Sequence, residues 1–195
     1  MKRTSLLVIS AAIAAALLPL AAAGQTLPPA PVSAPKYEAY AGFAFTNLDQ
    51  VNQSRHGLVG FRGAITRDWG KYFGLRGSGD YFKWATGSGN PGNPVVYTFM
   101  LAPELHFNVY QNWSAGVFGE IGMEHTGGEQ MIPNNSFAGG YGVNLTDNLN
   151  RRWALQATTD RVGASFSLRN NSPQIANSTH RVWNLRGMFG VIYRF

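Results

Sequence analysis

The last twelve residues of the chain, 184–195, read N-L-R-G-M-F-G-V-I-Y-R-F. Alternate positions from Leu185 to Phe195 are apolar or Gly, whereas the positions between them carry Asn and two Arg together with Met, Gly and Ile. Successive side chains of a β-strand point to opposite faces, so this segment predicts a strand with one apolar face and one mostly polar face. The same period of two recurs through most of the chain.

The first 36 residues have a different composition and predict an export segment. Residues 1–23 place Lys2 and Arg3 before an apolar run that ends in small residues, which is the pattern of a cleaved secretory signal peptide. Residues 24–36 are rich in Pro and predict an extended periplasmic lead-in without packed structure. Residues 37–195 then form one domain, within the usual length for a single unit.

The composition excludes several classes of protein. The chain has no Cys, so disulfides and thiolate metal sites are excluded. Removal of Lys2 and Arg3 lowers the formal charge from +6 to +4, and no basic cluster suited to nucleic acid is present. Charged residues make up 13%, about half the globular average, and no second long apolar run could form a membrane helix. Low charge with alternation favours a barrel whose outer surface contacts lipid.

Eight strands are predicted, most of them long enough to cross a bilayer when tilted. They are Lys36–Thr46, His56–Thr66, Tyr72–Trp84, Val95–Phe107, Trp113–His125, Ser136–Leu145, Arg152–Val162 and His180–Phe195. The first, third, fifth and seventh connections are long and the other three are short. This alternation with an even strand count predicts an all-β, eight-stranded, antiparallel, up-and-down transmembrane β-barrel with both termini in the periplasm.

Charged residues indicate which face of each strand looks outward. Each strand has two sets of alternate positions, one mainly apolar (the apolar parity) and one that carries most of the charges. A charge that faces lipid at mid-bilayer costs about 2–4 kcal/mol, so the apolar parity should face lipid. The few charged residues of the apolar parity are expected near the external strand ends, where they can reach lipopolysaccharide: Lys83, Arg161 and Arg181. The other parity predicts a paired charge network that fills the lumen in place of a hydrophobic core. Its members are Glu38, Arg62, Arg76, Asp80, Glu104, Glu120, Glu124, Asp160, Arg186 and Arg194.

Several segments resemble the small eight-stranded outer-membrane barrels of the OmpA/OmpX-like superfamily. They are Tyr40–Phe43, the strand–turn–strand Thr66–Leu75, Ala102–Glu104 and Gly190–Phe195, and the resemblance covers residues 36–195. The resemblance implies that Gly190, Tyr193 and Phe195 form the signal read by the barrel assembly machinery. It implies a structural or surface-interaction role in the outer membrane, without catalysis or cofactor. The implied partners are membrane lipid, lipopolysaccharide and an extracellular ligand at the long loops.

Three other functions are compatible with the sequence. The lumen could form a narrow pore, or the protein could be a lipid A-modifying enzyme, although the tight His-x-Ser spacing of the deacylases is absent. A soluble periplasmic ligand-binding barrel has the same strand period with the opposite face inward. A metal site at the outer rim would need His56, His125 and His180, and we predict none. The G-x-G-x-x-G at 87–92 precedes a strand, so it predicts a loop and no dinucleotide site.

Overall fold

The computed structural model describes residues 36–49, 55–86, 94–128, 133–167 and 179–195. Within them, eight strands form one closed, fully antiparallel barrel in the order of the sequence, which confirms the predicted fold class. The strands are β1 (Tyr37–Asp49), β2 (Arg55–Trp69), β3 (Phe73–Thr86), β4 (Val95–Tyr110), β5 (Trp113–Gly127), β6 (Asn134–Asn148), β7 (Trp153–Ser167) and β8 (Thr179–Arg194). The described residues include no helix that is long and apolar enough to cross a membrane. The predicted signal peptide and lead-in lie outside the described residues.

The strand register gives the barrel its stagger. Cross-strand pairs followed once around the barrel from Asp68 in β2 pass through Glu104 and Asp160 and return to β2 at Leu58, ten residues away. A closed sheet with this offset must have strongly tilted strands, at about 35–45° to the axis. With eight strands the interior is just wide enough to be filled by side chains.

The connections give the barrel two different ends. Three short turns join β2 to β3, β4 to β5 and β6 to β7 at the end that also holds Tyr37 and Phe195, here named the turn end. The opposite end, named the loop end, holds the longer segments 50–54, 87–94, 128–133 and 168–178. Most strands extend further toward the loop end than predicted; β1, for example, reaches Asp49, which pairs with Arg55. The polar residues there lack apolar alternation, but backbone pairing does not require it.

The outward surface is apolar over most of its height. Phe43 and Phe99 are each 71% exposed. Around them lies an apolar belt to which most strands contribute large side chains at mid-height: Phe61, Ile65, Leu101, Ile121, Met123, Phe137, Tyr141, Val143, Phe189 and Val191. On β3 and β7 the exposed large apolar side chains, Phe73 and Trp153, lie nearer the turn end. Among the described side chains of the strands, outward charges occur only at Arg67 and Asp147 toward the turn end and at Lys83 and Arg161 in the loop-end half.

The interior contains apolar side chains as well as charges. A cluster that includes Leu48, Leu58, Phe82, Val96 and Val162 fills the barrel mainly on the loop-end side. A smaller cluster nearer the turn end consists of Tyr40, Ala64, Ala154 and Ile192. From the sequence we expect charges to replace a hydrophobic core. In the structure, charges share the lumen with two apolar clusters, because the inward parity includes these residues too.

One irregularity interrupts the β2–β3 pairing. The register shifts between Val59 and Gly60, so that Val59 pairs with Trp84 whereas Gly60 pairs with Phe82. The extra residue at Lys83 is a β-bulge, which counting along β3 alone does not predict.

Candidate functional site

The centre of the lumen holds a compact ion cluster, defined here as Arg62, Asp80, Glu120, Asp160 and Arg186. All five side chains are buried. Arg62 donates from Nε to Asp80 Oδ1 at 2.5 Å and from Nη2 to Asp80 Oδ2 at 2.8 Å, which is a two-point contact. Its Nη1 also donates to Asp160 Oδ2 at 3.1 Å. Such fork-like pairs are the strongest class of protein hydrogen bond.

Arg186 joins the remaining members of the ion cluster. Its Nε and Nη2 donate to the two carboxylate oxygens of Asp160 at 2.6 and 2.9 Å. It also donates to Asp80 Oδ2 at 2.9 Å and to Glu120 Oε1 at 2.6 Å. Thr98 donates its hydroxyl to Asp80 Oδ2 at 2.5 Å. The guanidinium of Arg186 therefore lies among three carboxylates, and its loss would leave them facing one another.

The stagger of the barrel brings these distant residues together. Arg186 and Asp80 are 106 positions apart, and Arg62 and Asp160 are 98 apart. Asp80 pairs in register with Arg62, and Asp160 pairs with Arg186, so two adjacent-strand pairs face each other across the lumen. Buried charges at such a site need partners, because an isolated charge in a low-dielectric interior is costly.

A second polar group lies nearer the turn end. Arg76 contacts Glu104 at 3.2 Å and stacks on the ring of Phe118 at 4.0 Å. Asn144 donates its amide to the other oxygen of Glu104. His106 lies 3.5 Å from Glu104 and 3.4 Å from Asp68. Thr98, Asn144 and Asp68 were not among the predicted lumen residues. Thr98 and Asn144 occupy even, inward positions of predicted strands, whereas Asp68 lies beyond the predicted end of β2, which extends to Trp69.

The remaining predicted lumen charges are divided between the rim and the interior. Arg194 donates to Glu38 at 2.6 Å at the turn end, where both are half-buried. Glu124 is only 3% exposed, yet its Oε1 has no hydrogen-bond partner. It lies on the inward face of β5 opposite Thr98 and Ser136. Of the ten predicted lumen charges, Glu124 is therefore the one without a hydrogen-bonded or ion-paired partner among the described residues.

The residues of the predicted assembly signal lie at the seam where β8 meets β1. Gly190 pairs directly with Gly42, and the ring of Tyr40 lies over this pair inside the barrel. Phe195 stacks on Tyr37 with ring centroids 5.9 Å apart, and the backbone groups of the two residues exchange hydrogen bonds. Tyr193 contacts both Phe195 and Trp153. These residues lie where the sheet closes, and their aromatic side chains form part of a band of aromatic residues around the turn end.

The predicted lipopolysaccharide contacts are only partly described. Arg161 is exposed, with its guanidinium 5.7 Å from the ring centroid of Trp183, and Tyr141 packs on the same ring at 6.4 Å. Lys83 is also exposed. The side chain of Arg181 lies outside the described residues. The prediction missed a further outward cation, Arg67, because the short turn was placed too early and Arg67 was assigned to it.

Of the three histidines considered for a metal site at the loop end, only His125 has a described side chain. The side chains of His56 and His180 lie outside the described residues. His125 Nδ1 lies 2.6 Å from Asn135 Oδ1, and its ring packs on Tyr97. In the described part of the chain, no group of three or more His, Cys, Asp or Glu side chains is arranged to hold a metal ion.

Comparisons with known proteins relate the chain to a fold. No protein-family model and no curated protein matches its sequence. Neisserial surface protein A superposes with a TM-score of 0.64 at 12% identity, over 84% of this chain and 99% of the other. The attachment invasion locus protein Ail of Yersinia pestis gives 0.57 at 16% identity, over 84% and 100%. The outer membrane protein OprG of Pseudomonas aeruginosa gives 0.52 at 13% identity, over 83% and 96%. The chain therefore has the fold of the small eight-stranded outer-membrane barrels.

Proposed function

We propose that this protein is an integral outer-membrane barrel with a structural or surface-interaction role, a plugged lumen and no catalysis. The observation that carries the proposal is the apolar belt, which includes Phe43, Phe99 and Phe137 on the outward face. Soluble monomers rarely expose a contiguous apolar patch larger than a few hundred Å². In lipid the same belt is stabilising, and the ion cluster is sealed inside the closed sheet. A soluble ligand-binding barrel would instead need a polar outer face and an apolar interior.

The two ends of the barrel are proposed to face different compartments. Outer-membrane barrels have short periplasmic turns and longer external loops. The turn end, with both ends of the sheet, is therefore assigned to the periplasm, and the loop end to the cell exterior. Export through a cleaved signal peptide at residues 1–23 and recognition of Gly190, Tyr193 and Phe195 by the assembly machinery belong to the same proposal.

The surface role is assigned to the loop end. Its connecting segments are rich in Asn, Ser, Gly and Gln, and in segments 50–54, 87–94 and 168–178 the one charged residue is Arg169. Ail, which shares the fold, has been crystallised with the heparin analogue sucrose octasulfate. The near-neutral segments of this chain suit a hydrogen-bonding ligand such as a neutral glycan better than a polyanion. In the loop-end half of the outward surface, Arg161, which contacts the ring of Trp183, and the exposed Lys83 suit binding of lipopolysaccharide phosphates.

Membrane insertion can be tested by extraction and electrophoresis. Membranes that contain the full chain are washed with sodium carbonate, and the unheated and boiled protein is compared on a denaturing gel. We expect retention in the membrane and a faster migration of the unheated, folded barrel. Purified mature protein that stays folded and monomeric in buffer without detergent would contradict the proposal, because the apolar belt would then face water.

Orientation can be tested with single cysteines, since the chain has none of its own. Ser172→Cys lies in the longest loop-end segment, and Lys71→Cys lies in a turn at the other end. A membrane-impermeant maleimide applied to whole cells should label Ser172→Cys and leave Lys71→Cys unlabelled until the outer membrane is permeabilised. Labelling of Lys71→Cys on intact cells would reverse the assigned orientation.

A further inference from the structure

The outward face of the turn end carries an arginine that lies beside two aromatic rings. The guanidinium of Arg67 lies 5.0 Å from the ring centroid of Trp69 and 5.8 Å from that of Tyr37, its cross-strand neighbour. Arg67 is exposed, and no carboxylate among the described residues forms a salt bridge with it. Both rings thus lie within cation–π distance of the guanidinium, and its N–H donors have no carboxylate partner in the described part of the chain.

Two further cations lie at the same corner of the barrel. Lys71 is in the β2–β3 turn, with its ammonium 5.4 Å from the ring centroid of Tyr72. Lys36 is exposed, and its carbonyl accepts a hydrogen bond from the amide of Asp68 at 2.9 Å, which places its backbone beside the end of β2. The acid at this corner, Asp68, points inward to His106. The exposed charged side chains at this corner are therefore all positive.

The other outward acid at this end is far from the corner. Asp147 is on β6, and β6 lies opposite β2 in a barrel of eight strands. It pairs in register with Trp113 and Leu155 and does not neutralise Arg67. The charge distribution thus favours an anionic ligand on the β1–β3 side.

We propose that Arg67, with Lys71 and Lys36, binds the phosphodiester headgroup of an anionic phospholipid in the periplasmic leaflet. A guanidinium beside aromatic rings and without a carboxylate partner keeps its N–H fork available, and this fork matches two oxygens of a phosphate. The hydroxyl of Tyr37 and the indole N–H of Trp69 are polar groups at an apolar–aqueous boundary and can donate to the same headgroup. This inference rests on the proposed membrane insertion, which fixes the turn end at the periplasmic interface.

The binding can be measured by fluorescence quenching at Trp69. The single-tryptophan variant Trp84→Phe/Trp113→Phe/Trp153→Phe/Trp183→Phe is reconstituted in phosphatidylcholine vesicles with increasing fractions of brominated phosphatidylglycerol or brominated phosphatidylcholine. We expect phosphatidylglycerol to be preferred at Trp69 by about fivefold, the effect of one cation at a membrane surface. Arg67→Gln in this background should reduce the preference to about one.

A matched variant separates a local site from general charge attraction. Arg151→Gln removes the same charge from an exposed turn at the same end, where no ring contact holds the side chain. It should leave the preference at Trp69 unchanged, whereas Lys71→Gln, in a turn outside the strands, should lower it. Equal preference for both lipids in the parent variant, or an equal effect of Arg67→Gln and Arg151→Gln, would overturn the inference. Absence of quenching by either brominated lipid would instead contradict membrane insertion itself.

Discussion

Arg186 is the residue on which the buried charges of the lumen depend most. It donates to carboxylates on three different strands, those of Asp80, Glu120 and Asp160. Removal of one partner from a buried ion network leaves uncompensated charge and typically costs about 3–5 kcal/mol. The same consideration does not apply at the rim, where Arg194 has one partner and is partly solvated.

Arg186→Met is therefore expected to lower the unfolding free energy by about 3–5 kcal/mol. The matched variant Arg194→Met should lower it by about 1 kcal/mol, because it removes a single ion pair that is partly solvated at the rim. Urea-induced unfolding of the refolded protein in lipid vesicles, followed by gel migration, measures both. Equal losses in the two variants would show that the ion cluster does not stabilise the barrel beyond an ordinary surface pair.

Glu120 and Glu124 lie on the same strand, and we expect the same substitution at the two positions to change stability in opposite directions. Glu120 Oε1 accepts from Arg186, whereas Glu124 Oε1 has no partner. Glu124→Gln removes the charge of a buried acid, so the unfolding free energy should rise by about 1–2 kcal/mol at pH 8. Glu120→Gln should lower it by about 1–3 kcal/mol. The same unfolding assay applies, and a loss of stability in Glu124→Gln would mean that the side chain has a stabilising contact.

At the scale of elements, the β8–β1 seam depends on close approach of two backbones. Gly190 and Gly42 face each other on the inner side under Tyr40. A Cβ at residue 190 would lie 2.5 Å from the Cα of Gly42 and 2.8 Å from Cζ of Tyr40, closer than real contacts permit. The glycine of the predicted assembly signal thus has a packing role in the closed barrel that is independent of recognition during assembly.

Gly190→Ala is expected to destabilise the folded barrel by about 1–3 kcal/mol through overpacking at the seam. Gly187→Ala is the control, because a Cβ at this outward position of β8 has no heavy atom within 4 Å and should change stability by less than about 0.5 kcal/mol. The fraction of folded protein after dilution from urea into lipid vesicles reports the effect without the assembly machinery. Indistinguishable folded fractions for the two variants would contradict the packing argument.

The sequence predicted the number of strands better than it predicted where each strand begins and ends. The eight apolar-periodic segments and the alternation of long and short connections were visible in the sequence, and the fold confirms the strand count and order. The strand ends near the loop end were missed, since Asn47–Asp49 pair through backbone groups without an apolar pattern. The bulge at Lys83 was also invisible, because a register shift depends on the partner strand.

At the scale of the whole molecule, the described residues fill the lumen with a polar layer and an apolar layer. The buried ion cluster crosses the centre of the lumen, and the apolar cluster with Leu48, Leu58 and Phe82 fills the loop-end side. Ions cross an apolar constriction poorly, because it loses water. An ion that moves along the barrel axis would have to pass both layers, one after the other.

Purified protein in planar lipid bilayers is therefore expected to show no discrete ion conductance. The comparison variant is Asp160→Asn, which removes one carboxylate from the ion cluster and should open no path while the apolar layer is intact. Conductance steps of the wild type whose ion selectivity shifts in Asp160→Asn would instead support the narrow-pore alternative.

The sequence by itself determined the strand number, the order of long and short connections and the outward face of each strand. These properties are local: period two assigns faces, and the cost of a charge in lipid assigns the apolar face to the outside. Only the tertiary structure decided which charges meet. Arg62 reaches Asp160 and Arg186 reaches Asp80 across about a hundred residues because the sheet closes with a ten-residue offset, and alternation along one strand carries no information about that offset. The register of β1 on β2 likewise places Arg67 beside Tyr37, and Glu124 Oε1 has no hydrogen-bond partner on the inward face of β5.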